Sequence, residues 1–256
     1  MFRTIKDLIG TPVEAEDGKC GKCADFLFDD QHFAIRYLVV DVGGFFSREE
    51  VLISPKSVRD PDLAVHDVSI PVALTKAKIE SSPPAQWHPP ISQEMEEALA
   101  DHYEQTQYWV GSDVWGFGPY PVDVPRPVEV DLLSEKTKHI RKRNLRSANE
   151  IMNYQVSAND GDVGSVSDFI VETKPWQIRY FVVDTGDWLP GKKVLLSPRW
   201  NELIRWEDKS VTFDLTRERI KGAPEFDPHA PVNLDYDGAL HDYYGVPHTN
   251  RLEQPK

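Results

Sequence analysis

The two cysteines of this 256-residue chain are the residues whose spacing most directly suggests chemistry. Cys20 and Cys23 form a CxxC motif, the spacing of dithiol redox centres and of half of a zinc site. A redox pair of this kind usually has its first cysteine at a helix N-terminus, whereas the surrounding sequence predicts a strand. No second CxxC motif completes a zinc site. The motif leaves a thiol redox role open and favours a structural one.

Two histidines are the next candidates, because His88 and His229 each stand beside a proline in similar proline-rich stretches. They could share a metal ion, although a histidine in such a stretch is more often a surface or packing residue. The sequence has no phosphate-binding glycine loop, no nucleophile elbow and no helical HExxH motif, and its carboxylates are scattered. We therefore expect no catalytic residues, no metal and no cofactor, and no enzyme activity apart from the residual thiol role.

An internal repeat decides which elements position these residues. The stretch IRYLVVDVG at 35–43 returns as IRYFVVDTG, and residues 4–55 align without a gap on 147–198. After a shortening of two residues in the second copy, LTKAKIESSP at 74–83 pairs with LTRERIKGAP, and ALADHY pairs with ALHDYY. A repeat of about 100 residues, occurring twice, indicates a duplicated structural unit.

The repeat also weakens the case for chemistry at the cysteines. Val163 and Val166 occupy the positions equivalent to Cys20 and Cys23. Cysteine can replace valine as a small apolar side chain, so these positions are interpreted as places where a strand needs such a residue.

Charged residues of the repeated stretch have two interpretations as well. Arg36 and Asp41 recur as Arg179 and Asp184, and they could form a recognition pair. The alternative is turn chemistry for the aspartates and a paired or solvated strand face for the arginines. Because both copies keep them, a requirement of the fold is favoured over a single active site.

Short strands and short helices follow from the same blocks. Asp17-Gly18 is a hairpin signal, Gly21 marks a bend in the next strand, and the Val-, Ile- and Tyr-rich residues 33–42 predict a central strand. Helices are expected after the N-cap residues Thr75 and Ser92, and after the equivalent Thr216. Many short strands with one strong bend predict a small closed antiparallel barrel, since closure removes exposed edges.

The order of these motifs resembles the PRC-barrel family. The pattern is DG-x-x-G-x-x-x-DF, then IRY-x-VVD-x-G, then VL-x-SP and a short helix ending in proline, and it covers roughly 4–83 and 147–224. A serine stands before the proline where the family would have an aliphatic residue. The family includes the cytoplasmic domain of the photosynthetic reaction-centre H subunit and the C-terminal domain of the 30S ribosome maturation factor. The resemblance implies a β-barrel used for protein–protein or protein–RNP contact, which is an analogy at the level of the fold.

We therefore predict a mainly β protein with two tandem PRC-like barrels, short helices and extended proline- and aromatic-rich arms. The predicted domains are barrel 1 at 1–84, an arm plus basic linker at 85–146, barrel 2 at 147–224 and a C-terminal arm at 225–256.

Aromatic residues crowd the stretch 103–120, among glycines and prolines that exclude a regular helix. Such a segment can dock its rings into grooves of its own chain, of a second copy or of another protein. The candidate partner-binding residues are Tyr103, Tyr108, Trp109, Trp115 and Phe117.

A basic segment at 136–146, KTKHIRKRNLR, has six Lys or Arg and no acidic residue in a chain of net charge −13. It could bind RNA or anionic lipid, or it could lie against the acidic surface of its own barrels or of a second subunit. Lys138, Arg141, Lys142 and Arg143 are its candidate binding residues.

The net charge argues against DNA and against anionic membrane surfaces as general partners. No apolar run is long enough to span a bilayer, and the N-terminus lacks the pattern of a signal peptide, so a cytoplasmic protein is expected. The predicted function is a non-enzymatic protein-binding or scaffold protein whose partner is another protein or a second copy, most simply in a homodimer. The alternatives are a peripheral accessory of membrane photosynthetic electron transfer and an adaptor in ribosome maturation or RNA processing.

Overall fold

The computed structural model describes residues 1–43, 49–59, 69–83, 91–122, 144–186, 188, 191–228, 230, 232 and 234–244. Within these ranges the chain is mainly β and has two sheets, which confirms the predicted class. None of the helices in these ranges has the length and apolar character needed to cross a membrane.

Strands supply most of the regular structure. They are β1 (Phe2–Thr4), β2 (Pro12–Ala15), β3 (Gly18–Asp29), β4 (Ile35–Asp41), β5 (Glu50–Ile53), β6 (Ile70–Pro71), β7 (Leu145–Ser147), β8 (Gln155–Ala158), β9 (Gly161–Glu172), β10 (Gln177–Asp184), β11 (Lys193–Leu196), β12 (Asn201–Arg205) and β13 (Ser210–Phe213). The helices are α1 (Ile5–Leu8), α2 (Lys76–Glu80), α3 (Gln93–His102), α4 (Ala148–Ile151), α5 (Arg217–Lys221) and α6 (Leu234–Tyr244).

The chain divides into two compact units, and unit 1 comprises Met1, Arg3–Ile151 and Val171–Arg179. Its sheet has the order β5-β4-β3-β2-β6, with β7 added to β3. The long strand β3 pairs with β2 through its first half and with β4 through its second half. Gly21 allows this bend, because a Cβ at that position would overlap the carbonyl oxygen of Asp41.

The central strand β4 is buried on both faces of the sheet of unit 1, as its apolar composition predicts. One face packs against α3, where Leu27, Tyr37 and Leu52 form a buried cluster with Leu99 of the helix. Burying an aliphatic side chain of this size contributes about 1.5–3 kcal/mol, so this contact fixes α3 on the sheet. Ser92 caps the helix by accepting a hydrogen bond from the backbone NH of Met95, as predicted.

Closure of this sheet into a barrel stays a prediction. Its edge strands are β5 and β6, and within the described residues no ladder joins them directly. A short 3-10 helix, Pro55–Ser57, follows β5, and an isolated bridge then pairs Val58 with Val72 just beyond β6.

Unit 1 also contains the first elements of the second sequence copy, β7 and α4. Asp25 of β3 accepts hydrogen bonds from the hydroxyl of Ser147 and, at 3.0 Å, from the backbone NH of Asn149. A carboxylate at the first turn of a helix satisfies NH groups that have no partner within the helix. Burial raises the pKa of Asp25. The domain boundaries predicted from the repeat remain predictions about the sequence copies.

The connection between β9 and β10 is the third part of unit 1. The NH of Ile35 donates to the carbonyl of Trp176 at 2.7 Å, and the NH of Ile178 donates to the carbonyl of Phe33 at 2.8 Å. These are equivalent residues of the two copies, so the two hydrogen bonds are reciprocal. Phe33 and Trp176 both have positive φ, of 55° and 50°, which shows that the copies share this uncommon backbone conformation.

Unit 2 comprises Phe2, Met152–Ile170 and Tyr180–Lys256. The second sheet has the order β11-β10-β9-β8-β13-β12. The rings of Phe169, Phe181 and Phe213 form its aromatic core, with centroids 5.0 and 5.6 Å apart. Thr216 caps α5, as predicted, by accepting a hydrogen bond from the NH of Arg219.

Candidate functional site

A buried ion pair at the end of β3 is the centre of the candidate site. The Arg36 Nε lies 2.8 Å from Asp29 Oδ2, and the two side chains are 1% and 0% exposed. Asp29 Oδ1 also accepts hydrogen bonds from the backbone NH groups of Gln31 and His32. Burial alone would raise the pKa of Asp29, but the Arg36 guanidinium and the bonds from His32 lower it overall.

Two aromatic rings cover the guanidinium. Its carbon lies 3.9 Å from the ring centroid of Tyr108 and 4.7 Å from that of Trp115. The Nη1 of Arg36 donates to the carbonyl of Val114 at 2.7 Å. Each desolvated cation–π contact of this kind is worth about 2 kcal/mol. We call residues 103–120 the arm, and Asp29, Arg36 and Tyr37 the arm-binding face.

A second buried carboxylate holds the arm beside Arg36. Glu96 of α3 accepts hydrogen bonds from the hydroxyl of Tyr37 at 3.3 Å and from that of Tyr108 at 2.7 Å. Burial, and then the charge of Glu96, raise the pKa of both tyrosines well above the usual value, so both hydroxyls keep their protons and donate. The acid therefore ties α3, β4 and the arm together.

Local turns give the arm its shape. Asp113 and Gly116 form an isolated antiparallel bridge, and a Cβ on Gly111 would overlap the carbonyl oxygen of Gly116. The indole NH of Trp115 donates to the carbonyl of Pro175 at 2.8 Å, within unit 1. The arm is thus held at its Trp115 end by both the ring contact and a hydrogen bond.

The structure shows which candidate partner-binding residues contact their own chain. Tyr103, Tyr108 and Trp115 are buried in unit 1, whereas Trp109 and Phe117 are half-buried. Packing against its own chain, one of the predicted alternatives, accounts for the three buried rings. Lys138, Arg141, Lys142 and Arg143 of the basic linker lie outside the described residues, as do His88 and His229.

The cysteines lie in β3 as free thiols, with Cys23 buried and Cys20 half-buried. The thiol of Cys20 donates to the carbonyl of Val13, and that of Cys23 donates to the carbonyl of Asp25. Burial raises the pKa of both thiols, most strongly that of Cys23. A redox or metal-binding cysteine needs the thiolate, which this environment disfavours. Across the described part of the chain, no three His, Cys, Asp or Glu side chains are placed to hold a metal ion.

The repeated aspartates form turns, which is one of the two interpretations given above for these residues. Asp41 Oδ1 accepts a hydrogen bond from the NH of Gly43 at 3.0 Å, and Asp184 Oδ1 accepts one from the NH of Gly186 at 2.9 Å. These side-chain contacts to the backbone two residues later stabilise the chain reversal after each central strand.

The second copy repeats parts of the arm-binding face. In unit 1, Arg179 Nε lies 3.2 Å from Glu172 Oε2, and these residues are equivalent to Arg36 and Asp29. Their side chains are 22% and 31% exposed, so this pair is much less buried. In unit 2, the Tyr180 hydroxyl donates to Asp237 at 2.5 Å, as the equivalent Tyr37 does to Glu96 in unit 1.

Comparison with known proteins agrees with a fold made of two copies. The PRC-barrel domain profile matches residues 1–72 and 144–219, and the chain therefore belongs to the PRC-barrel domain family. This confirms the resemblance drawn from the repeated motifs. The chain is also similar to an uncharacterized protein of Deinococcus radiodurans, with 38% identity over 69 residues. That match covers 27% of this chain and 24% of the relative, so it adds no information on activity.

Proposed function

We propose that the protein is a non-enzymatic protein-binding scaffold built from two PRC-barrel modules. The observation that carries the proposal is the arm-binding face, where the sheet of unit 1 holds an aromatic segment that belongs to no strand. Arg36 is almost fully buried between Tyr108 and Trp115. Buried aromatic and arginine contacts of this kind dominate the energetics of protein–protein interfaces.

The same face supports binding more than catalysis. Asp29 is paired with Arg36 and accepts two backbone NH groups, and Glu96 accepts two tyrosine hydroxyls. The lowered pKa of Asp29 keeps this carboxylate ionised as a hydrogen-bond acceptor, whereas a general base needs a pKa near the working pH and access to a substrate proton. The raised pKa values of the two thiols point the same way.

The partner in this proposal is another protein or a second copy of the chain. In this proposal the half-buried aromatic side chains of Trp109 and Phe117 in the arm contact that partner. Association with RNA or with a membrane surface would use the basic linker and remains a prediction. The photosynthetic and ribosomal alternatives also remain predictions, because neither is favoured by a specific observation.

A native purification tests the proposal. The tagged full-length protein would be isolated under mild conditions from membrane, ribosome and soluble fractions of the cells that make it. We expect one fraction to yield a second protein at a fixed ratio to the tagged chain. We also expect this partner, once purified, to bind the purified chain directly and saturably. Recovery of the chain only alone or self-associated, in all three fractions, would contradict a role in binding other proteins.

A further inference from the structure

Arg36 and Arg179 are equivalent arginines with different surroundings. The guanidinium of Arg36 donates to the carbonyl of Val114, and the indole NH of Trp115 donates to the carbonyl of Pro175. The arm therefore supplies one acceptor and one donor to the face of the first copy. Arg179 has no aromatic ring over it among the described residues, although its pairing with Glu172 repeats that of Arg36 with Asp29.

The side-chain amide of Gln177 supplies the corresponding two groups in the second copy. Its Oε1 accepts a hydrogen bond from Nη1 of Arg179 at 3.4 Å, and its Nε2 donates to the carbonyl of His32 at 2.7 Å. His32 is the residue equivalent to Pro175 in the repeat. One glutamine thus satisfies both polar groups that Val114 and Trp115 satisfy in the first copy.

The residue equivalent to Gln177 is Ala34. Ala34 is fully buried and has no polar group on its side chain. A methyl group at this position offers no hydrogen bond to Nη1 of Arg36 or to the carbonyl of Pro175, and the arm makes both of these bonds instead. A glutamine occupies the same space and makes both hydrogen bonds itself. A segment that approaches this face then finds neither the arginine donor nor the carbonyl acceptor available.

We propose that this position determines which copy accepts an aromatic segment. Ala34 opens the face of the first copy, and Gln177 closes the equivalent face of the second by mimicking the ligand. The ligand is a segment that turns as the arm does. It has a tryptophan directly after a residue that offers its backbone carbonyl, and a tyrosine seven positions before the tryptophan. This inference rests on the proposed function, since it assumes that the arm-binding face represents a general mode of binding.

Replacement of Gln177 by Ala in the full-length protein tests the proposal. The probe is a labelled synthetic peptide that copies residues 105–118, QTQYWVGSDVWGFG. We expect Q177A to bind this peptide saturably, at least about tenfold more tightly than the unaltered protein. Two controls use the same titration: a peptide with alanine in place of Trp115, and the variant Gln155→Ala, which removes an exposed glutamine of β8.

A reciprocal variant gives an independent readout. Ala34→Gln is expected to displace the arm from the first copy, so that proteolytic cleavage between residues 105 and 118 becomes faster and tryptophan fluorescence shifts to the red. If Q177A forms a dimer that the added peptide dissociates, the arm of a second copy is the ligand, and the role of residue 177 is supported.

Peptide binding to Q177A no tighter than to the unaltered protein, with the folded near-ultraviolet spectrum retained, would overturn the inference. The two proposals can also fail separately. If the peptide binds Q177A but no cellular protein binds the chain, the inference stands and the scaffold function fails. If a cellular partner binds and the peptide test is negative, the reverse holds.

Discussion

Replacement of Arg36 by methionine is the perturbation that most directly tests the arm-binding face. Methionine keeps much of the length of the arginine and removes its charge, its five donors and its planar face. The change leaves the carboxylate of Asp29, which has no exposed surface, without its cation. It also removes the partner of the Tyr108 and Trp115 rings.

The structure sets the size of the effect. At the observed 2.8 Å separation and an effective dielectric constant of about 20, the gross attraction between Arg36 and Asp29 is roughly 6 kcal/mol. Part of this is offset by the desolvation of both charges in the native protein. Removing one partner of a buried pair typically costs about 3–5 kcal/mol, and we expect the free energy of unfolding to fall by that amount at pH 7.

The loss should depend on pH in a defined direction. In the native protein the pKa of Asp29 is lowered below the unfolded value of about 3.9, so its contribution is present above that pH and is lost as the pH falls through the folded pKa. In R36M the charge of Arg36, the strongest influence that lowers the pKa of Asp29, is gone while burial remains, so we expect this pKa to rise above the unfolded value. The unpaired carboxylate then destabilises the fold at neutral pH, and this destabilisation decreases as the pH falls and the acid is protonated.

Urea unfolding at pH 7 and at pH 4.5 measures both quantities. The matched control is Arg179→Met, because the pair of Arg179 with Glu172 is much more exposed and should be worth only about 0–1 kcal/mol. Adding Asp29→Asn to R36M should recover part of the loss, since an amide keeps the acceptor for the NH groups of Gln31 and His32. Equal losses for R36M and R179M, or a loss that is the same at both pH values, would refute the reasoning.

Three further predictions concern the rest of unit 1. Tyr108→Phe should lower the free energy of unfolding by about 1–3 kcal/mol, because it removes a 2.7 Å hydrogen bond to the buried carboxylate of Glu96; denaturant unfolding measures it. Gly21→Ala should cost at least about 2 kcal/mol through overlap with the backbone, whereas Gly118→Ala, with open space around it, should change stability by less than about 0.5 kcal/mol. Iodoacetamide at pH 7 should leave Cys23 unmodified in the native protein and alkylate it in guanidinium. Rapid stoichiometric labelling of Cys23 itself without denaturant would contradict its burial.

Local signals predicted much of the fold. The caps Thr75, Ser92 and Thr216 each begin a helix, because their hydroxyls accept hydrogen bonds from NH groups of the first turn. The bend at Gly21 followed from glycine inside a strand pattern, and the structure gives the reason in the close approach of Asp41. These features depend on residues near one another in sequence, or on one strand and its neighbour, and a single sequence contains that information.

The burial of Arg36 could not be predicted in the same way. Its cover comes from the arm, more than seventy residues later in the chain, and the packing of an irregular aromatic segment has no periodic signal. One signal was present in the repeat, since the acid that pairs with Arg36 recurs as Glu172 at the position that pairs with Arg179. An acid and an arginine at equivalent positions in both copies indicate an ion pair that the fold requires. They do not show in which copy an aromatic segment covers the arginine.

The difference between the copies therefore carries more functional information than their identity. The residues they share, such as Arg36 and Arg179, satisfy the requirements of one fold built twice. Position 34 of the first copy is alanine, and the equivalent position 177 of the second copy is glutamine. In the first copy a backbone carbonyl of the arm accepts the hydrogen bond from the arginine, and in the second copy the glutamine of the same strand accepts it. In the proposed function, the face of the first copy is a binding surface because the arm completes its hydrogen bonds. In the second copy, Gln177 completes the equivalent hydrogen bonds with its own side chain, which is why we propose that this copy accepts no aromatic segment.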